Sequence, residues 1–432
     1  MRPLSLRNRE LLNLLAVGLL TVTGFASVYL ASQEVPEFST SSLSYAAFFL
    51  ALFLTAHLAL RVALPSADPY LLPIAGLLTA IGLTMIYRIE PDRALRQGVW
   101  VVVGVVLLAG LLFFLRDHRA LDRIKYTLGI AAIVFLALPA VPGLGTTING
   151  ATLWVHVGPL TFQPGEFAKV FLVVFLAGYL RDNREMLSMG VGRYGLPSPK
   201  HFGPLLVIWG GAMLVLVQTK DFGGGLLYFS IFLAMVYIAT ARWPYVVIGL
   251  VMFALGAWGV YQIAPHIADR ISIWLDPWAD PYEQGYQLVQ SIYAIAGGGL
   301  FGQGLGRGVL ITDSGTTYIP YLETDFIYSA IAQELGLAGA AALITLYLVF
   351  VYRGFRIAMQ ADDGFSKLLA AGLTSALAIQ AFIIIGGVSG LIPLTGITLP
   401  FVSYGGSSIV ANFVLLGLLL IVSNHVNRGA ER

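Results

Sequence analysis

The sequence contains no cysteine, which excludes disulfides, thiolate metal sites and cysteine nucleophiles. Charge is scarce too. Asp, Glu, Lys and Arg make up 11% of the 432 residues, against roughly 25% in soluble domains. A soluble chain of this length needs far more charge to coat its surface. The formal net charge is only +2, too small to point to nucleic acid as a partner. The opening Met1-Arg-Pro-Leu-Ser-Leu-Arg-Asn-Arg precedes an apolar run, in the manner of a signal peptide. No small-residue cleavage site follows it, whereas many more apolar runs do, so it reads as a retained first span. An inverted internal repeat of the kind that marks many transporters is not visible.

Long apolar runs are what the sequence has in abundance: 57% of it is hydrophobic. A helix crosses the hydrocarbon with about 20 such residues. Runs of this kind lie near 11–30, 44–63, 70–88, 97–115, 124–141, 166–180, 204–219, 222–240, 244–264, 326–352, 367–390 and 406–424. The expectation is an all-α polytopic membrane protein with about twelve transmembrane helices. Basic residues in short loops mark the cytoplasmic side. Arg116, Arg119, Arg123, Lys125, Arg181, Arg184, Arg193, Lys200, Arg242, Arg353, Arg356 and Lys367 fall on one side, with the tail residues Arg428 and Arg432. Both termini are therefore expected in the cytoplasm. Glu34, Glu37, the stretch 142–165 and the long loop 265–325 are expected outside. Arg88, Arg93 and Arg96 break the pattern, but Glu90 and Asp92 accompany them. His57, alone near a helix end, reads as a packed or interfacial histidine.

Polar residues concentrate in three stretches. Segment 265–325 is too long for a passive connection. It has Arg270-Ile-Ser-Ile-Trp-Leu-Asp-Pro-Trp-Ala-Asp-Pro, then Gly285-Tyr-Gln-Leu-Val-Gln-Ser and Gly297-Gly-Gly-Leu-Phe-Gly-Gln-Gly-Leu-Gly-Arg-Gly. Trp274 and Trp278 suit headgroup depth. The glycines either let backbone amides approach a pyrophosphate or form a flexible re-entrant loop. The segment ends in Tyr321-Leu-Glu-Thr-Asp, placing Asp325 where the loop becomes a helix. A carboxylate there either caps the helix or, desolvated beside an apolar groove, works as a general base. In the second stretch, Asn149-Gly-Ala-Thr-Leu-Trp leads to Phe162-Gln-Pro-Gly-Glu-Phe-Ala-Lys. Glu166 and Lys169 are three apart and so share a helix face; they either neutralise each other or face a polar cavity. The third is Ile392-Pro-Leu-Thr-Gly-Ile-Thr-Leu-Pro-Phe-Val-Ser-Tyr-Gly-Gly-Ser-Ser, irregular backbone tolerated at membrane depth only beside protein or a cavity.

From about residue 70 onward, these stretches in this order resemble the shape, elongation, division and sporulation (SEDS) family, which includes RodA-like and FtsW-like proteins. The markers are Asn149-Gly-Ala, Gln163-Pro-Gly-Glu, Asp276-Pro-Trp-Ala-Asp-Pro, Gly285-Tyr-Gln, Gln290-Ser, Thr324-Asp-Phe and Leu399-Pro-Phe-Val-Ser-Tyr-Gly-Gly-Ser-Ser. Most members have ten spans, so residues 1–69 look like a two-helix N-terminal extension on a core of 70–432. That form is similar to the longer RodA-like members. Two departures stand out. The family often has Arg where Leu153 stands, and Gln-Pro-Asp-Leu-Gly where this chain has Gln218-Thr-Lys-Asp-Phe-Gly.

The resemblance implies a peptidoglycan glycosyltransferase that polymerises lipid II at the outer face of the bacterial cytoplasmic membrane. It implies Asp325 as catalytic residue and a class B penicillin-binding transpeptidase as partner. The expected substrate-binding residues are Trp154, Glu166, Lys169, Gln287, Gln290, Ser291, Arg307, Glu323, Ser403 and Tyr404. A leaving pyrophosphate needs positive charge nearby; Lys169, Arg307 or a divalent cation (Mg or Mn) are candidates. The alternatives are a lipid II flippase, which needs polar groups through the whole membrane, and a scaffold that only holds a partner enzyme.

Overall fold

The computed structural model describes residues 5–31, 40–115, 117–148, 151–158, 160–189, 217–263, 265–312 and 315–430, with scattered positions between 203 and 214. Most of the run expected at 204–219, the Asn149-Gly150 pair and the loop residues Glu34, Glu37, Arg116, Arg193, Lys200 and Arg432 lie outside them.

The chain is mostly helical. In order come α1 (Leu6–Ala31), α2 (Thr40–Ala63), α3 (Leu71–Ile89), α4 (Pro91–Phe114) and α5 (Lys125–Ala137). Three strands follow, β1 (Gly145–Ile148), β2 (Ala151–Val157) and β3 (Leu160–Phe162), then α6 (Pro164–Asp182). The remainder is α7 (Phe222–Thr240), α8 (Trp243–Ile263), α9 (Pro265–Leu275), α10 (Tyr286–Gly297), α11 (Ile327–Gln360), α12 (Gly364–Val388) and α13 (Gly406–Ala430). Eight of these, α1 to α4, α7 and α11 to α13, are long and apolar enough to cross a membrane. Lys125–Ala140 and Trp243–Gly259 are apolar but shorter, and the 19 residues of α6 include Glu166, Lys169, Arg181 and Asp182.

The strands correct the all-α expectation. They form an antiparallel sheet in the order β1-β2-β3, with Trp154 opposite Thr146 and Val155 opposite Phe162. Thr146, Thr147, Ile148, Thr152, Val155, Val157 and Thr161 supply the β-branched side chains that favour a pleated surface. Each run is shorter than a span, so a search for 20-residue apolar windows passes over them.

The described chain divides into two compact units. The first holds residues 1–115, 268–353 and 380–432. Its most enclosed helix is α13, which packs along α4; Gly104 fits under Phe413, and Gly406 lies against Trp100. The expected extension, 1–69, belongs to this unit together with 70–115. Its attachment is polar. Arg7 and Glu10 pair inside α1, His57 Nδ1 meets the Glu10 carboxylate at 2.6 Å, and Arg7 donates to the Ala67 carbonyl. Asp68 receives Arg353 Nε at 2.8 Å and Tyr70 N–H at 2.9 Å. The lone histidine is thus a packed one, with a carboxylate beside it.

Glycine loop 297–308 sits on α11 in the same unit. The buried Glu334 carboxylate accepts the amides of Gly306 at 2.8 Å and Gly308 at 3.2 Å and pairs with Arg88 Nε at 3.2 Å. Gly336, φ +68°, breaks α11 there, and a Cβ on it would run into the backbone of Leu300 and Gly302. Two of the amides offered for a phosphate are therefore already spent.

The second unit holds residues 116–267 and 354–379. Here α6 packs along α5 and α7, and Gly372 of α12 fits against Val173 and Met235. Its charged edge carries a set of pairs: Lys125 with Asp122 and Asp182, Arg181 with both aspartates, Arg119 with Asp363. Burial acts to raise the Asp363 carboxyl, but bonds from Ser366 and Arg119 outweigh it and hold the group down at about 2.

Removing Glu334 strips Arg88 of its partner and leaves two buried amides unsatisfied, a change that costs about 3–5 kcal/mol. Glu334→Ala is expected to accelerate hydrogen exchange across 297–308 well beyond that of α13, measured by mass spectrometry. Unchanged protection of that loop would show that the carboxylate does not hold it.

Candidate active site

Within the first unit, the 321–326 turn and the 396–405 segment face each other. Tyr404 N–H donates to the Glu323 carbonyl at 2.9 Å. Ser403 Oγ donates to the Thr324 carbonyl at 2.5 Å and accepts Leu399 N–H at 2.9 Å. Gln97, buried on α4, closes the arrangement by donating to the Ser403 carbonyl at 3.2 Å and accepting Gly405 N–H at 3.1 Å. These bonds hold two non-glycine residues in the left-handed region, Tyr321 at φ +61° and Phe401 at φ +65°. Backbone strain of that kind persists only where the surroundings over-determine it, and it clusters at functional sites. Gly82 lets the segment approach, since a Cβ there would collide with Val402.

Four carboxylates compete for a catalytic role, and three are committed. Asp276 Oδ1 accepts Trp278 N–H at 3.2 Å, and Asp280 accepts the amides of Glu283 at 3.2 Å and Gln284 at 3.3 Å. Both are turn residues. Glu323 is buried and paired with Arg93, which also holds Glu90 at 2.6 Å and stacks on the Tyr404 ring. Asp325 differs. Its backbone N–H reaches the Tyr321 carbonyl at 3.0 Å, but its carboxylate accepts no hydrogen bond among the described residues, so it does not cap α11. Desolvation raises it to about 7, with Arg270 opposing and Glu323 reinforcing the shift. A carboxyl tuned to that value is poised to take a proton near neutrality.

The other expected residues fall into two groups. Ser291 is fully buried and bonds to Ser329 Oγ and the Val388 carbonyl, both at 2.7 Å, which is a packing role. Gln287 and Gln290, half-buried on α10, make no side-chain bond among the described residues. Arg307 is exposed and unpaired there. Trp154, Glu166 and Lys169 belong to the second unit. Trp154 is half-buried on β2, and Lys169 Nζ meets Glu166 Oε2 at 2.8 Å with both side chains enclosed.

Sequence reasoning missed Arg93, Gln97 and Arg270. Arg93 was visible as a basic residue on the wrong side, a signal that it has a job other than topology. Among the described residues, no three or more His, Asp or Glu side chains cluster to hold a metal ion. With Glu323 taken by Arg93, the site does not fit a resident divalent cation.

Apolar spans, paired interior charges and one uncommitted carboxylate at a strained turn define a multi-pass helical membrane protein with a candidate acid–base site. The chain belongs to the FtsW/RodA/SpoVE family, described as a cell cycle protein family, which it matches over residues 68–428. It is 44% identical to the peptidoglycan glycosyltransferase RodA of Mycobacterium tuberculosis, over 98% of this chain and 91% of that protein. It is 35% identical to the stage V sporulation protein E of Bacillus subtilis, over 83% and 98%. A solved structure described as showing structural coordination of polymerization and crosslinking by a peptidoglycan synthase complex has a chain 30% identical, with a TM-score of 0.68 over 84% of this chain and 98% of that one.

Lys169 and Glu166 offer a clean test of pairing in an apolar helix. Either single neutral substitution strands a charge, so Glu166→Gln and Lys169→Met alone are each expected to cost about 3–5 kcal/mol, and the double variant less than either. Thermal unfolding in detergent reads the cycle. Simple additivity would rule the pairing out, and a stable but inactive double variant would assign the pair to substrate.

Proposed function

We propose that this chain is a peptidoglycan glycosyltransferase that polymerises lipid II, the undecaprenyl-pyrophosphate-linked disaccharide peptide, with Asp325 as general base. One observation carries the assignment of the base: of the four candidates Asp276, Asp280, Glu323 and Asp325, Asp325 alone lacks a built-in partner among the described residues. The glycosyltransferase named above, matched over nearly the whole chain, supports the activity.

The chemistry follows from the position. The acceptor sugar's 4-hydroxyl oxygen bonds to the donor's anomeric carbon, and the hydroxyl proton passes to the Asp325 carboxylate. The anomeric carbon–oxygen bond breaks, its electron pair leaves with undecaprenyl pyrophosphate, and attack from the opposite face inverts the centre. A positioned base contributes typically ~10²–10⁴-fold. Glu323, neutralised by Arg93, keeps the turn in place rather than moving protons. Gln287 and Gln290, with free amides, suit sugar hydroxyls. Arg307, Ser403 and Tyr404 are proposed to bind substrate as well, Ser403 and Tyr404 by fixing the backbone beside Asp325; Trp154, Glu166 and Lys169 are the proposed binding residues of the second unit. Any divalent cation would take its ligands from the pyrophosphate and water.

The protein is multi-pass; the proposed home is a bacterial cytoplasmic membrane, with twelve spans, both termini inside and residues 265–325 outside. Residues 1–69 are proposed as an addition to the ten-span core, in line with a family match that begins at residue 68. A class B penicillin-binding transpeptidase is the proposed partner, supported by the synthase complex among the structural relatives.

Purified Asp325→Asn is expected to lose lipid II polymerisation by at least about 10²-fold while still copurifying with its transpeptidase. Its Tm at pH 8 should be unchanged or higher, because burial disfavours the ionised carboxylate that the change removes. The wild-type rate should fall about tenfold per pH unit below about 7, as the base becomes protonated. A near-normal rate for Asp325→Asn would transfer the role to Glu323. A C-terminal reporter active only in the cytoplasm is expected to give signal. Silence there, with signal from a tag near residue 310, would invert the topology.

A further inference from the structure

We propose that Arg270 and the Thr395 hydroxyl form an anion subsite beside Asp325 that holds the pyrophosphate of the lipid-linked sugar as it departs, an assignment that rests on the glycosyltransferase reading above. Arg270 is exposed on α9. Its Nη1 donates to the carbonyls of Leu394 at 3.3 Å and Thr395 at 3.4 Å, and its remaining donors have no partner among the described residues. Both bonds are long, and they use one nitrogen of three. The next residue, Gly396, takes φ +70°, and a Cβ there would lie 4.0 Å from Asp325 Oδ2. The Thr395 hydroxyl oxygen is buried and makes no hydrogen bond. Buried polar atoms in folded proteins are rarely left so.

Three groups thus border the backbone of Leu394, Thr395 and Gly396: a cation with spare donors, an orphan hydroxyl and a free carboxylate. The opposite charges sit close enough for Arg270 to oppose the rise of the Asp325 carboxyl, yet no ion pair within 4.0 Å joins them. A gap of that kind is what inverting transfer requires. The base must reach the acceptor oxygen on one side of the anomeric carbon, and positive charge must reach the departing oxygen on the other. As the bond to pyrophosphate breaks, its electron pair settles on an oxygen that the guanidinium can take in bidentate fashion.

Other cations serve less well. Lys169 is spent on Glu166, and Arg93 is shared by Glu90 and Glu323. Arg307 is exposed and unpaired, but the amides flanking it, those of Gly306 and Gly308, are taken by Glu334. The set expected from sequence took Arg307 from the same 61-residue loop and not Arg270, because a position in a loop carries no signal of what the side chain faces.

The test uses the full-length protein in detergent with undecaprenyl pyrophosphate as the binding probe and lipid II as substrate. Arg270→Gln keeps a donor for the Leu394 and Thr395 carbonyls and removes the charge. It is expected to weaken undecaprenyl pyrophosphate binding about 10–100-fold, the worth of a charge-assisted bond, and to lower kcat by a similar factor. Arg270→Lys should recover part of both, and Thr395→Val should lose several-fold of the binding. Removing the cation also lets the Asp325 carboxyl rise further, so the acid limb of the rate profile should move to higher pH in Arg270→Gln; loss of a merely structural contact would not move it. Asp325→Asn is expected to bind the probe normally, which separates the subsite from the base: if that variant polymerises lipid II, the base assignment fails while the binding result still judges Arg270. Unaltered affinity and kcat in Arg270→Gln would overturn the proposal.

Discussion

A carboxylate in a low-dielectric interior either finds a cation or hydrogen-bond donors inside the protein, or its charged form becomes expensive and its pKa climbs. Among the described residues, almost every enclosed acid takes the first course. Glu10 has Arg7 and His57, Asp68 has Arg353, Glu166 has Lys169, Glu323 has Arg93, and Glu334 has Arg88 with two glycine amides. Asp325 takes the second, and the chemistry proposed for it follows from that exception. The pairings are more than local stabilisers. Arg93 joins α4 to the 321–326 turn through Glu323, and Glu334 joins α11 to the glycine loop through two amides.

Position matters as much as basicity for a general base, because geometry decides whether the proton is within reach. Here the backbone on both sides of Asp325 is pinned by buried bonds: Ser403 to Thr324, Tyr404 to Glu323, and Gln97 to Ser403 and Gly405. They tie α4, the 396–405 segment and the start of α11 into one rigid frame, and the left-handed Tyr321 and Phe401 are held within it. Rigid support of this kind is what keeps a catalytic group at a productive angle. Ser403 and Ser291 show two ways in which a residue of a recognisable motif supports the architecture through intramolecular bonds. The first positions the strained turn, and the second packs α10 against its neighbours.

Much of this was legible in the residues. Twenty-residue apolar windows located most of the helices, because hydrocarbon admits little else. The i,i+3 spacing of Glu166 and Lys169 placed both on one helix face and left a mutual pair and a polar cavity open; the structure shows the pair. The prolines after Asp276 and Asp280 are local turn signals, and both carboxylates accept turn amides. The sheet at 145–162 was not found, because its β-branched runs are three to seven residues long and the windows that find spans average them away. For the glycine loop the sequence left phosphate contact and simple flexibility open, and neither included a carboxylate 26 residues downstream filling the nest.

By itself, then, the sequence determined the lipid-embedded helical class, the absence of thiol chemistry and the short set of acids worth testing, since these depend on composition and local spacing. The tertiary structure alone decided which of those acids is free. Arg93 and Glu323 are 230 positions apart, and Arg270 and Leu394 are 124 apart. Partnership over such separations is set by how helices pack, and no local pattern records it. The motif pointed to Asp325, and the fold supplies the physical reason by giving each of its rivals a partner.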